Sequence, residues 1–271
     1  MRGVGTMTLR GLRAGLAALA LGLASAAWAA SPDGQARTIT LKDGTGVPVT
    51  VFPAAGKALL LWLPSEMGLV PAEADAAARL AHRGVEVWLA DTLSARFLPP
   101  LPSSLEKIPA GDVTQLVEAA RHDSGKTVYL VAAGRGAVPA LRGAARWRER
   151  HGGSSPGLGG AILLYPDLYV ATPEPGEEAK YLPIASHTRL NIVILQGELS
   201  PWYWYLDTLK ATLRQGGSKV EITPLPGTRD RFYGRGAAKV PLASEQAMAK
   251  RLPQLIFDAL QALQRMPGGT R

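Results

Sequence analysis

Apolar residues along this chain fall into short runs separated by polar turns and by stretches with helical spacing. Positions 38–41 and 47–52 flank Lys42-Asp43-Gly44, an arrangement that predicts a β-hairpin. Positions 58–63 are a nearly continuous apolar run, as a strand buried on both faces requires. The alanine-rich stretch 71–82 carries acids near its start and is followed by Gly84, which predicts a helix closed by a glycine. A strand over 85–90 follows, and then a proline-rich loop over 97–109. Beyond it the pattern predicts a helix over 112–122, a strand over 127–132 and a helix over 135–150. Further strands are expected at 161–165, 191–196 and 220–224, with helices at 202–214 and 243–263.

A hairpin followed by repeated βα units implies an α/β fold, a mostly parallel twisted sheet with helices on both faces. Ligands of such sheets sit beyond the carboxyl ends of the strands. Ser65, Asp91, Gly134, Pro166, Gly197 and Asp230 are therefore expected to face one crevice. The segment 167–189 is long, poorly periodic and acidic in Glu174-Pro175-Gly176-Glu177-Glu178. Two readings stay open for it, a surface loop or a lid over the crevice.

Composition narrows the class. The first thirty residues carry Arg2, Arg10 and Arg13, then an uncharged apolar run from Ala14 to Ala24, then Ala27-Trp28-Ala29. This is the layout of a secretory signal peptide, expected over 1–30, with one domain over 31–271. The apolar run is shorter than the ~20 residues of a spanning helix, so no stable membrane span is expected after cleavage. The expected location is periplasmic or secreted. The chain has no cysteine, so an exported domain must hold together through its core alone. Without the three leading arginines, 27 basic residues face 22 acidic ones. Arginines at 142–150 and 229–235 are not interleaved with aromatic platforms, so no nucleic-acid partner is expected. His82, His122, His151 and His187 lack metal-ligand spacing, and the glycine-rich pieces follow no phosphate-loop pattern. Neither a metal nor a cofactor is expected.

The run Val128-Tyr129-Leu130-Val131-Ala132-Ala133-Gly134-Arg135-Gly136 resembles the nucleophile elbow of the α/β-hydrolase family, Gly-x-Ser-x-Gly. Leu195-Gln196-Gly197-Glu198 resembles the end of the strand before that family's acid. Pro226-Gly227-Thr228-Arg229-Asp230-Arg231-Phe232 resembles the stretch around its histidine, and 160–166 resembles the strand after the elbow helix. The resemblance spans most of the chain beyond residue 30. It implies a hydrolase fold in which Gly134 stands at the serine position and Asp230 at the histidine position. Acyl transfer by that route needs a hydroxyl or thiol and a base to take its proton. All four histidines precede the last strand, and a carboxylate is a poor base near neutral pH. No catalytic residue is therefore assigned, and serine-hydrolase chemistry is not expected.

Binding is what such a crevice retains. The helix entered at Arg135 points free N–H groups into it, which favours a small anionic ligand, with Arg135, Arg229 and Arg231 near that end. Trp202-Tyr203-Trp204-Tyr205 opens the helix after Gly197, and not all four rings can face inward. Trp202 and Tyr203 are candidates for contact with a ligand or an exported protein partner. Ser65 and Ser94, read as exposed-loop serines, are the positions for a displaced nucleophile. Two alternatives stay open: a hydrolase with a rearranged site using Asp230 or Glu66, and a periplasmic assembly or maturation factor.

Overall fold

The computed structural model describes residues 34–174, 176–234 and 240–267. The segment expected to be a signal peptide lies outside these residues. Eight strands form one sheet in the order β1-β2-β4-β3-β5-β6-β7-β8. Strands β1 (Gln35–Thr40) and β2 (Gly46–Phe52) make the N-terminal hairpin, and β2 also runs antiparallel to β4 (Glu86–Ala90). From β4 onward the pairings are parallel, through β3 (Ala58–Trp62), β5 (Thr127–Ala133), β6 (Leu158–Leu164), β7 (Asn191–Gly197) and β8 (Lys219–Leu225). The mostly parallel sheet expected from the hydrophobic runs is the one observed.

The central strands are apolar throughout because both of their faces are covered. Alternation along β3 divides its side chains between two cores. Leu59 and Leu61 join the core under α4 (Ala110–Ser124), α5 (Ala137–Arg150) and α7 (Leu206–Gln215). Leu60 and Trp62 join the core under α1 (Pro71–His82) and α9 (Leu252–Arg265). Gly84, at φ +82°, closes the turn after α1, as its sequence position suggested.

Prolines account for most of the differences from expectation. The segment 97–109, read as a loop, contains α3 (Pro102–Lys107), and α2 (Thr92–Ala95) precedes it. Pro102 stands in the first turn of α3, where its missing N–H would have had no partner. The single helix expected over 243–263 is two, α8 (Ala243–Lys250) and α9, because Pro253 in the first turn of α9 has no N–H to return to α8. The helix expected from 202 opens with a 3-10 turn, Pro201–Tyr205, before α7 begins. Within 167–189, an antiparallel bridge between Tyr169 and Tyr181 and the short α6 (Pro183–His187) make a strap rather than an open loop. Among the described residues no helix is long and apolar enough to cross a membrane.

Helices α4 and α5 meet at Gly143, where an added Cβ would lie 2.5 Å from Val113 Cβ. Gly143→Ala is expected to lower stability by about 1–3 kcal/mol in denaturant unfolding. With Val113→Ala in the same chain, the combined loss should fall short of the sum by at least about 0.5 kcal/mol.

Candidate functional site

Strand β5 is apolar and ends at the carboxyl edge of the sheet in Gly134, whose φ of +53° is a left-handed conformation suited to glycine. A 3-10 turn over Gly134–Gly136 then leads into α5, and a Cβ on Gly136 would run into the Pro64 carbonyl. These two glycines let the chain reverse sharply between the sheet and the β3–α1 loop. The elbow suggested by the sequence is present.

The place above Gly134 is taken by Glu66. A Cβ built on Gly134 would lie 2.7 Å from Glu66 Oε1 and closer still to Oε2. The Arg135 amide donates to Glu66 Oε2 at 2.9 Å. Arg231 donates through Nε to Oε1 at 2.9 Å, and its Nη2 lies 2.7 Å from the same oxygen. The Glu66 side chain is only 6% exposed, whereas that of Arg231 is 49% exposed. The helix-entry amide expected to attract an anion thus holds the chain's own carboxylate.

Asp230, at the position resembling the family's histidine, accepts from Gln196 Nε2 at 2.8 Å and from Ser200 Oγ at 2.7 Å. The Arg135 guanidinium is buried and does not face the crevice as a free cation. It pairs with Glu106 and Asp167 and donates to the Tyr169 carbonyl at 2.6 Å, fastening the strap to the elbow. Arg229 is likewise engaged, its Nε donating at 2.7 Å to Glu245, a fully buried carboxylate at the start of α8. Of the three guanidinium groups, that of Arg231 is the one that pairs with Glu66.

Ser65, expected on an exposed loop, is buried because the loop folds inward over β5. Its hydroxyl accepts from the Met67 amide at 3.1 Å within a tight turn. Ser94 is exposed within α2 and donates to the capping Asp91, through its amide to Oδ1 at 3.0 Å and its hydroxyl to Oδ2 at 2.6 Å. No histidine reaches either serine or the elbow. His82, His122, His151 and His187 lie at or near the carboxyl ends of α1, α4, α5 and α6, respectively. In the turn after β7, Trp202 stacks on Tyr169 with ring centroids 4.0 Å apart, and Tyr203 packs against the core. Trp204, 86% exposed, is the ring of this run that stands furthest into solvent.

A second polar group behind the elbow was not singled out in the sequence. Glu73, in the first turn of α1, accepts from the Val70 amide at 3.0 Å and from the Tyr233 hydroxyl at 3.1 Å. Burial is the main reason its carboxyl is pushed up to about 7. Burial likewise raises Asp167, with Arg135 opposing it. An acid in the first turn of an alanine-rich helix is readable from the sequence. Its burial is not.

Among the described residues no cluster of histidines and carboxylates could hold a metal ion. A concavity of about 370 Å³ lies between β8 and α9, lined by Thr223, Arg251, Leu255 and Asp258 among others, and it contains no residue of the elbow. The chemistry of the site therefore rests on the carboxylate–arginine cluster rather than on that hollow.

Solved structures share this architecture at low sequence identity. A protein of Klebsiella pneumoniae described as a dienelactone hydrolase superposes with a TM-score of 0.62 at 16% identity, covering 84% of this chain and 98% of its own. The Pyrobaculum calidifontis esterase gives 0.59 at 14% identity, covering 85% of each chain. Thermogutta terrifontis esterase 2 gives 0.55 at 15%, covering 84% of this chain and 95% of its own. The chain thus has the α/β-hydrolase fold. No protein-family model matches its sequence, and no curated protein matches it.

Glu73 yields a pH signature. The unfolded chain ionises this group near 4.5, while the folded chain keeps its proton to about 7. Its contribution to stability is complete below 4.5 and is lost as pH rises through 7, a change on the order of 3 kcal/mol. Urea unfolding between those pH values should show wild-type stability falling more than that of Glu73→Gln, by roughly that amount.

Proposed function

We propose that this chain is an exported, non-hydrolytic protein of α/β-hydrolase fold that binds a small ligand or a protein partner on the crevice face above its sheet. The observation that carries the reading is the Glu66 carboxylate, which fills the space where a nucleophile on residue 134 would stand. It also takes the Arg135 amide that would stabilise an oxyanion. With Gly134 at the elbow and Asp230 held by Gln196 and Ser200, the elbow has no hydroxyl–imidazole pair for acyl transfer; the Ser186–His187 contact lies on α6, away from it. A small anion arriving at the same amide must compete with Glu66, so the reading favours contact along the rim of the crevice. Export rests on the charged start, the apolar run and Ala27-Trp28-Ala29.

The test uses p-nitrophenyl acetate and butyrate with the wild type and with Ser65→Ala, Ser94→Ala and Gly134→Ser. All four should hydrolyse at the background rate. Gly134→Ser should also lose about 1–3 kcal/mol of stability, since its side chain must displace Glu66 in a left-handed conformation. Turnover well above background that disappears in Ser65→Ala or Ser94→Ala would overturn the reading.

A further inference from the structure

We infer that the crevice face is a docking surface for a protein segment that is both apolar and basic, an inference that names the partner class within the function proposed above. Its first support is where exposed apolar side chains occur. Among the described residues, the large ones all lie on segments that leave the carboxyl ends of strands. Phe97 and Leu101 follow β4, Val170 follows β6, and Leu199 and Trp204 follow β7. Val240 and Leu242 follow β8. The connections at the opposite end of the sheet carry none. Single exposed apolar residues need no explanation, but their collection on one face does.

These segments adjoin one another. Glu106 of α3 meets Arg135, Arg135 holds the Tyr169 carbonyl, and Tyr169 stacks on Trp202. Ser200 reaches Asp230, and Leu199 donates to the Thr228 carbonyl at 2.9 Å, which carries the surface on to residues 226–234. Phe97 is 96% exposed at φ +53°, because the turn that closes α2, with Leu98 N–H donating to the Leu93 carbonyl at 3.0 Å, sends Leu98 inward and leaves the Phe97 ring in solvent. A large ring left in solvent gains from a partner that covers it.

Charge decides which partner. The whole chain is basic, at +8, yet among the described residues this rim is acidic. Glu174, Glu177, Glu178 and Glu198 are exposed, set against Lys107 and Lys180. Its arginines face their own carboxylates: Arg135 with Glu106 and Asp167, Arg229 with Glu245, Arg231 with Glu66. The strap contains a hollow of about 110 Å³ lined by Val170 and Thr172 and by two carboxylates, Glu177 and Glu178, against one cation, Lys180. That combination suits the stem and head of a lysine or arginine. An anionic bilayer would be repelled by the same glutamates, and two copies facing each other would oppose acid to acid.

The experiment is fluorescence anisotropy of the purified protein with a labelled amphipathic leucine–lysine peptide and a leucine–glutamate peptide of equal length. Saturable binding of the leucine–lysine peptide alone is expected, although the protein's net charge disfavours it. Its affinity should fall about tenfold or more in Trp204→Ser and in Glu177→Lys/Glu178→Lys, variants at exposed positions whose folding circular dichroism verifies. Raising salt from about 50 to about 500 mM should weaken it further. Equal binding of the two peptides, absence of saturable binding, or unchanged affinity in both variants would overturn the inference. So would a preference for phosphatidylglycerol vesicles, or self-association that buries Trp204. Lack of peptide binding together with background ester hydrolysis would remove this partner while leaving the non-hydrolytic reading in place.

Discussion

Glu66 sends its carboxylate between the Arg135 amide and the Arg231 guanidinium, and the form of the crevice follows from that contact. A buried carboxylate is tolerated when donors compensate its lost hydration. Here a backbone N–H at the mouth of α5 and a charged guanidinium supply them. The arrangement needs residue 134 to have no side chain, and it needs the left-handed turn that glycine permits. It also draws the loop around Arg231 toward the elbow, with Arg231 itself at φ +59°. Because Arg231 is half exposed, solvent screens its share, and the burial of Glu66 matters more than the strength of the pair.

The rest of the site follows as neutralisation from within. Arg135, Arg229 and Arg231 are each matched by a carboxylate of the same chain, and Asp230 is held by an amide and a hydroxyl. Arg135 uses its side chain to hold the strap while its amide holds Glu66, so one residue couples the lid-like segment to the elbow. What stays unmatched lies further out, on the apolar rim and its glutamates. The binding proposed for this face would thus use its outer surface rather than a cleft.

Much of the fold was legible in the sequence. Continuous apolar runs such as 58–63 can be buried only between two layers, and alternation with helical stretches implies a parallel sheet. Gly134 and Gly136 marked the elbow because close backbone approach and left-handed geometry both select glycine. Prolines were misread where Pro102 and Pro253 begin helices, since the same residue that breaks a helix interior is favoured in its first turn. The site was less legible. Glu66 was visible as an acid near the end of β3, but its meeting with Gly134 is a long-range contact that local spacing does not encode. Arg135 and Arg229 were read as free cations because their partners, Glu106, Asp167 and Glu245, come from distant segments. In the aromatic run, the inward and outward rings could not be separated until the 3-10 turn replaced the expected α-helix.

The most direct test of this account is the amide resonance of Arg135 in a ¹⁵N-labelled sample, compared between the wild type and Glu66→Gln. A charge-assisted hydrogen bond to a carboxylate moves an amide proton downfield. The account predicts a strongly downfield Arg135 amide in the wild type that moves upfield in Glu66→Gln, while amides of the β1–β2 hairpin stay in place. An Arg135 amide at an ordinary position, unmoved by the substitution, would contradict the claim that Glu66 fills the elbow.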